Sequence, residues 1–305
     1  MVPAPVGDYF EAAPGGSPAN VAVALARLGV PARLLARIAD DMLGRRIRDH
    51  LTGNGVQLDH AVRASEPTTL AMVAVGPDGG ASYDFRFTGT ADWQWTAAEL
   101  DGALDGPVVA LHSGSLALTM PPGAAALREL ISRAAGSVTI SYDPNCRPLL
   151  MGDPAGVLEG VHELLAVADV VKVSAEDLEW LLPDRRPEQV LEDWLGRGPA
   201  IIAVTLGGDG VLAGTASGVR SRRPGVPVTV VDTVGAGDTF SAALLAGLHR
   251  RGLLGAAQRP ALRAVDADTL DALLDEAALA AAITCSRRGA DPPTADDLSA
   301  RRPAV

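Results

Sequence analysis

Two kinds of apolar segment alternate along most of the chain. Short, mainly apolar runs predict buried strands at Val108–His112, Val138–Asp143, Val170–Val173 and Ala200–Thr205. Longer runs rich in Ala and Leu predict helices at Pro18–Leu28, Gly123–Ala135, Ala175–Leu182 and Asp238–Arg250. Such alternation favours a mainly parallel sheet covered by helices. A chain of 305 residues allows one large α/β domain with a small appendage, or two modest domains.

One segment of the N-terminal half has a different period. Apolar positions alternate over Thr68–Val75, a turn-forming stretch follows at Gly76–Gly80, and aromatic residues occupy every second position near the end of Ser82–Phe87. This pattern predicts a β-hairpin rather than a strand–helix unit. Two interpretations remain open: a flap that forms a lid and a dimer face, or an edge hairpin whose aromatic residues belong to the core.

Composition and charge exclude several classes of function. Hydrophobic residues make up 48% of the chain, which supports a packed core. The net charge is -11 and Lys172 is the single lysine, so no basic face for nucleic acid is expected. Cys146 and Cys285 lie far apart and predict reduced thiols. Neither a signal peptide nor a bilayer-spanning stretch is recognisable, and we expect a cytoplasmic protein with no membrane partner.

The strongest chemical signal lies around Asp238. An apolar run predicts a strand at 228–232, and the Gly235–Gly237 segment then turns the chain into a helix. Backbone N–H groups at such a turn suit a phosphate or a developing negative charge. Asp238, in the first helical turn, can accept a proton from an attacking hydroxyl. The alternative is that Asp238 only complements the helix dipole and that the glycines only make a tight joint.

A second segment marks the start of the first helix. Ser17 is predicted as the N-cap, Pro18 as the first helical residue and Gly29 as the C-terminal stop. Asn20 lies in the first turn beside a double glycine, where its amide can meet sugar hydroxyls. The alternative is that Asn20 is an ordinary helix-start residue.

Polar residues follow four of the predicted strands. They form the segments His112–Ser115, Asp143–Arg147, Lys172–Ser174 and Thr205–Gly210. Ligands of open α/β sheets bind at the carboxyl ends of strands, so these segments predict one shared crevice. Two of the segments also have purely structural interpretations: 174–177 as a near capping box and 207–210 as a hairpin turn.

Other catalytic classes fit the chain poorly. The sequence contains no Gly-x-x-x-x-Gly-Lys-Ser/Thr loop, no His-Glu-x-x-His and no Gly-x-Ser-x-Gly. A dinucleotide-dependent dehydrogenase would need Gly-x-Gly-x-x-Gly after an early strand and an acidic residue at the next strand, and this arrangement is missing too.

In the order in which they occur, these segments resemble the PfkB, or ribokinase-like, family of carbohydrate kinases, and within it the bacterial fructokinases. The resemblance runs from about Gly7 to Pro293. It rests on the C-terminal signature Asp232–Asp238, the N-terminal signature Gly15–Ala22, and the segments Asp40–Gly44, Asp143–Asn145 and Thr205–Gly207. One such motif is weak evidence, but the ordered set is specific.

The resemblance implies a single doubly wound α/β domain over residues 1–305 with a small β-sheet lid. It places the lid at about 7–15 and 66–95 and suggests a homodimer that pairs through it. It implies transfer of the γ-phosphoryl of ATP to a small sugar, with fructose as the first choice and fructose 6-phosphate as the product. Ribose, 2-keto-3-deoxygluconate and nucleosides are the alternative acceptors.

The same resemblance implies a role for each site residue. Asp238 is the base, and the amides of Gly235, Ala236 and Gly237 form the anion hole. Sugar contacts fall on Gly16, Asn20 and Arg147. Nucleotide contacts fall on Lys172, Ser174, Thr205, Gly207 and Gly210. The expected cofactors are ATP and Mg²⁺, with Asp177 serving Mg²⁺ indirectly, and a K⁺ site near Asp232 and Val234.

Two departures from the family pattern carry expectations of their own. Ser174 and Asp177 occupy the family's Asn-x-x-Glu positions with different or shorter side chains. The family also begins with an apolar strand that bears Gly-Glu and a sugar-binding Asp, and no such strand precedes Asp8 here. Either the start codon is assigned too late, or the chain lacks a central strand and a sugar ligand. The second case implies an inactive sugar- or nucleotide-binding regulator.

Overall fold

The protein is described here by a computed structural model that covers residues 2–3, 10–75 and 81–301. The strands in these ranges are β1 (Val2–Pro3), β2 (Phe10–Glu11), β3 (Arg37–Ala39), β4 (Val62–Ala64), β5 (Leu70–Val75), β6 (Ala81–Arg86), β7 (Ala110–Gly114), β8 (Thr139–Asp143), β9 (Val170–Ser174), β10 (Ile201–Thr205), β11 (Val211–Thr215) and β12 (Arg220–Arg223).

The helices alternate with these strands over most of the chain, as the sequence predicts. They are α1 (Ser17–Arg27), α2 (Met42–Gly53), α3 (Ala124–Ala134), α4 (Pro148–Met151), α5 (Pro154–Leu165), α6 (Ala175–Leu181), α7 (Pro187–Leu195), α8 (Ala236–Arg250), α9 (Arg259–Arg263), α10 (Ala267–Cys285) and α11 (Ala295–Arg301). In the part of the chain that the structure describes, no helix has the length and apolar character needed to cross a membrane.

The centre of the fold is a six-stranded sheet with the order β12-β11-β10-β9-β8-β7. Strands β7 to β10 run parallel, and β10, β11 and β12 pair antiparallel. Successive residues of a strand point to opposite faces, so Val171 packs into the core around Trp194 and Val170 into the core around Leu244. Burial on both faces explains why apolar residues such as Val170 and Val171 follow each other along these strands. The predicted α/β sheet is confirmed.

Helices α1 and α8 lie side by side and bring their N-termini together. Val21, Ala24 and Ala242 form a small buried cluster between them. Small side chains allow two helix backbones to approach closely, and this approach explains the Ala-rich composition of both segments. The first turns of the two helices therefore meet near the carboxyl ends of the parallel strands.

Shorter strand pairs lie outside the six-stranded sheet. β3 and β4 form a parallel pair of their own, and β1 pairs antiparallel with β2. The predicted hairpin is confirmed, with β5 antiparallel to β6 and Leu70 opposite Arg86. Its predicted turn at 76–80, and Asp8 in the segment 4–9, lie outside the described residues. Phe85 and Phe87 of the hairpin are half-buried, and both interpretations of the hairpin stay predictions. Trp95, which follows the hairpin, is buried with Leu100 in a small core cluster.

One predicted strand is wrong. Residues 228–232 form an irregular segment, held in place by N–H groups of Val231 and Asp232 that donate to the carbonyl of Cys285. The side chains of Val230 and Val231 are 63% and 61% exposed. An apolar run predicts a strand only when a neighbouring strand can pair with it, and this run instead forms a wall of the cavity described next.

Candidate active site

A cavity of about 1590 Å³ opens where the carboxyl ends of β7 to β10 meet the N-termini of α1 and α8. All residues that the sequence analysis assigns to the site line this cavity. They are Gly16, Asn20, Arg147, Lys172, Ser174, Asp177, Thr205, Gly207, Gly210, Asp232, Val234, Gly235, Ala236, Gly237 and Asp238. The position agrees with the rule that open α/β sheets bind ligands at the carboxyl ends of their strands.

Asp238 lies at the wall of this cavity in the first turn of α8. Its side chain is largely buried, with 7% of the residue exposed. The Ser17 hydroxyl donates to its Oδ1 at 2.6 Å, and the Asn20 amide donates to its Oδ2 at 2.8 Å. Each carboxylate oxygen can accept more than one hydrogen bond, so the carboxylate is held in place and can still accept a proton.

Ser17 is the functional residue that the sequence analysis missed. The predicted N-cap role is wrong: the N-cap of α1 is Gly16, and no side chain caps this helix end. The Ser17 hydroxyl is directed to Asp238 instead. The available signal was the spacing of Ser17 and Asn20, because residues three apart lie on the same face of a helix.

Gly235 makes the turn into α8 with a left-handed backbone, φ 77°. A Cβ atom at this position would lie 2.6 Å from Cβ of Ala290, so both the conformation and the space demand glycine. The N–H of Ala236 makes one long bond of 3.3 Å to Thr233 O. Among the described residues the N–H groups of Gly235, Gly237 and Asp238 meet no acceptor. These groups can receive an anion.

A buried ion pair lies beneath the glycine turn. The Lys172 ammonium on β9 donates to Asp143 Oδ2 at the end of β8, at 3.1 Å, and both residues are at most 5% exposed. Burial raises the pKa of Asp143 to about 6; Asp177 and Asp238 add to the rise, whereas Lys172 opposes it. Burial alone would lower the pKa of Lys172, but Asp143, Asp177 and Asp238 outweigh it and the net pKa is raised. The ammonium therefore stays charged at neutral pH.

His112 lies on the neighbouring strand β7. Its Nδ1 is 2.9 Å from the Ser141 hydroxyl. Burial, followed by the nearby Lys172 ammonium, lowers the pKa of His112 to about 4. The imidazole is therefore neutral at physiological pH, and His112 is not among the residues that line the cavity.

Ser174 and Asp177 form the capping box that the sequence suggested, at the start of α6. The Asp177 N–H donates to the Ser174 hydroxyl at 3.0 Å, and the Ser174 N–H donates to Asp177 Oδ2 at 3.1 Å. Asp177 Oδ1 accepts the N–H of Cys146 at 2.6 Å. Both carboxylate oxygens are thus bonded to main-chain amides, and a Mg²⁺ ion would meet this group through water or phosphate. Within the described ranges no three acidic, His or Cys side chains are grouped to hold a metal directly.

Asp232 lies in the loop that leads into the glycine turn and accepts hydrogen bonds from two main-chain amides. Its Oδ1 accepts the N–H of Val234 at 3.0 Å, and its Oδ2 accepts the N–H of Gly289 at 2.9 Å. The side chain therefore organises the loop, and a K⁺ ion in this region would be met by main-chain carbonyls. The K⁺ site itself stays a prediction.

Arg147 and the turn at 205–210 are the remaining predicted contacts on the cavity wall. Arg147 is exposed, and its guanidinium donates to Asn145 Oδ1 at 2.7 Å and to the carbonyl of Cys146 at 2.8 Å. Thr205 and the glycines up to Gly210 form the turn between β10 and β11, which confirms the hairpin-turn interpretation. The same turn lines the cavity, and the nucleotide contacts expected on it stay a prediction.

Comparisons with known proteins agree with this arrangement. The family described as pfkB family carbohydrate kinase matches residues 3–297. A fructokinase from Rhizobium leguminosarum bv. trifolii is 37% identical over 243 residues, which cover 79% of this chain and 73% of the relative.

Two solved structures share the fold. A fructokinase from Xylella fastidiosa with bound ATP has a TM-score of 0.84 and 29% identity, and the match covers 94% of this chain and 89% of the other. A fructokinase from Vibrio cholerae, solved with fructose, ADP and calcium, has a TM-score of 0.77 and 27% identity, with coverage of 98% and 92%. The motif order, the sheet and the matched range agree, and the chain belongs to the pfkB family of carbohydrate kinases.

Proposed function

We propose that this protein transfers the γ-phosphoryl group of ATP to the 6-hydroxyl of D-fructose and releases fructose 6-phosphate and ADP. The observation that carries the proposal is Asp238, a carboxylate fixed by two donors beside amides that are free to bind an anion. The family membership supports a sugar as acceptor, and the relatives described above are fructokinases. Their shared substrate is the reason for placing fructose before other sugars.

The geometry suggests how the reaction proceeds. Asp238 accepts the proton of the sugar hydroxyl as its oxygen forms a bond to the γ-phosphorus and the bond from that phosphorus to the bridging oxygen of ADP breaks. The N–H groups of Gly235 and Gly237 are placed to stabilise the negative charge on the migrating group. Ser17 and Asn20 keep the carboxylate aimed at the acceptor.

The cofactors, the lid and the homodimer that the family resemblance implies are part of the same proposal. Mg²⁺ would neutralise charge on the ATP phosphates when bound, and we expect Asp177, whose two oxygens each accept a main-chain amide, to serve it through water or phosphate. The K⁺ site near Asp232 and Val234, the lid formed by β5, β6 and flanking residues, and the homodimer through that lid stay predictions. Sugar contacts are expected at Gly16, Asn20 and Arg147.

A coupled ADP-release assay with MgATP and a sugar panel tests the proposal. The panel contains D-fructose, D-ribose, 2-keto-3-deoxygluconate and adenosine, and ³¹P NMR identifies the phosphorylated position. We expect the highest kcat/KM for fructose, with the phosphate on O6. A higher kcat/KM for another acceptor would reject fructose and keep the kinase. Binding of ATP and sugar without turnover would reject the kinase in favour of a regulator.

A further inference from the structure

We infer that Lys172 is an electrostatic positioning residue of the reaction: a buried, permanent positive charge that the fold holds behind the glycine turn. The inference rests on the proposed phosphoryl transfer and adds a charge to it that neither the substrate nor a metal ion supplies. The family resemblance implies only a nucleotide contact for Lys172. The burial of this side chain and its ion pair with Asp143 give it a more specific role.

The strand register sets the position of the ammonium. Tyr142 on β8 lies opposite Val171 on β9, so the next residues, Asp143 and Lys172, are neighbours at the carboxyl end of the sheet. Their side chains meet at 3.1 Å. This contact fixes the end of a long side chain that would otherwise be free to move toward water.

The glycine turn lies directly against this ammonium. A Cβ atom added at Gly237 would come within 2.9 Å of Lys172 Nζ. The Cα of Gly237 therefore faces the charge, and the next residue in the chain is Asp238. Glycine at position 237 lets the helix start approach the lysine, so the amides of the turn and the ammonium act on the same small volume.

The charge balance around Lys172 explains why a cation is needed there. Three carboxylates interact with it: Asp143 on β8, Asp177 on α6 and Asp238 on α8. The imidazole of His112 on β7 also faces it, in its neutral form. Without Lys172, three mutually repelling carboxylates would surround the point where the negative phosphoryl group must pass. The ammonium offsets this negative charge and lowers the cost of bringing an anion beside Asp238.

A structural role for the pair is the competing explanation, and a paired substitution separates the two. Lys172→Met alone leaves Asp143 buried without a partner and can unfold the protein. Lys172→Met/Asp143→Asn removes both charges, and such exchanges of a buried pair are often neutral for stability. Asp143→Asn alone keeps the ammonium. If Lys172→Met/Asp143→Asn does not accumulate as folded protein, Lys172→Gln/Asp143→Asn replaces it, because the two amide side chains can retain a hydrogen bond.

Each folded variant is assayed for kcat and KM with MgATP and fructose from pH 5.5 to 9. For the double variant we expect wild-type circular dichroism and a kcat lower by roughly 100-fold across this pH range. Asp143→Asn should lose no more than about 10-fold in kcat, since the charge remains. A folded double variant with kcat within about threefold of wild type would overturn the inference.

Calorimetry with MgAMP-PNP and MgADP gives a readout that does not require turnover. The extra phosphoryl group of AMP-PNP should lose about tenfold in affinity in the double variant, whereas ADP should change less. Equal losses for both nucleotides would count against the inference. If the wild-type protein phosphorylates no sugar of the panel, the proposed function fails, and the nucleotide comparison still decides whether Lys172 serves the terminal phosphoryl group.

Discussion

The Ser17 hydroxyl donates a 2.6 Å hydrogen bond to Oδ1 of Asp238, which lies 221 residues later in the chain. The two residues meet because α1 and α8 pack through the small side chains of Ala24 and Ala242. The position of the Asp238 carboxylate relative to Ser17 thus depends on the packing of α1 against α8. The contact also explains why Asn20, one turn along from Gly16, reaches the other carboxylate oxygen.

Ser17→Ala tests the importance of this bond. Loss of one donor should let the Asp238 carboxylate rotate, and we expect kcat to fall by about 10-fold while the KM for ATP changes little. Ser17→Thr keeps the hydroxyl and should retain most of the activity. Steady-state ADP release at saturating fructose measures both variants. A full kcat in Ser17→Ala would show that Asn20 alone orients the base.

Asp238→Asn tests the assigned base. The amide cannot accept the proton of the sugar hydroxyl, so kcat should fall by about 10³-fold or more, with nucleotide affinity within a few-fold of wild type. The matched control is Asp268→Asn, since Asp268 is an exposed acidic residue in the first turn of another helix, α10. The control should be fully active. A comparable loss in both variants, or turnover near normal in Asp238→Asn, would contradict the assignment.

Local chemistry explains which parts of the site could be predicted from the sequence. The turn at Gly235 and the carboxylate at Asp238 are adjacent in the chain, and their spacing alone predicts an anion site at a helix start. The main strands could be predicted equally well, because residues such as 201–204 are apolar and are buried on both faces of the sheet. Predicted and observed ends of these strands differ by at most two residues.

Features that arise from tertiary contacts could not be predicted in this way. The Ser17 hydroxyl has the same local pattern as an N-cap, and only the approach of α8 shows its actual acceptor. The pairing of Lys172 with Asp143 depends on which strands are neighbours. The apolar residues before Asp232 were predicted as a strand, yet they form a cavity wall because no strand pairs with them within the described residues.

Gly235→Ala tests the requirement for glycine at the turn into α8. Alanine would have to adopt φ 77° and place its Cβ 2.6 Å from that of Ala290. We expect the free energy of unfolding to fall by about 2–4 kcal/mol and kcat to drop with it, because the anion-binding amides shift. Urea denaturation and ADP release measure the two effects.

The control for this substitution is Gly136→Ala. Gly136 is exposed, and a Cβ there meets no atom of the described residues within 4 Å. Its replacement should leave activity unchanged and stabilise the protein by about 0.4–1 kcal/mol, because alanine restricts the unfolded chain. Equal stability of Gly235→Ala and wild type would show that the turn can move without cost.

His112 should make the protein less stable in acid. Its pKa is lowered to about 4 in the folded protein, so between pH 6.5 and 4 the unfolded chain binds a proton that the folded protein does not. Stability from this group is therefore present above pH 6.5 and is lost as the pH falls. Asp143, with its pKa raised to about 6, acts in the opposite direction, because the folded protein takes up that proton first.

His112→Gln isolates the first of these effects, since Asp143 is common to both proteins. The free energy of unfolding of the variant should be somewhat lower than that of wild type at pH 7.5. From pH 7.5 to pH 4.5 the variant should gain roughly 2 kcal/mol in this free energy relative to wild type. Urea unfolding at the two pH values measures this. Ser141→Ala removes the 2.9 Å partner of the imidazole but keeps the titrating group, so its cost should be similar at both pH values. Parallel curves for wild type and His112→Gln would mean that the imidazole becomes protonated without leaving its site.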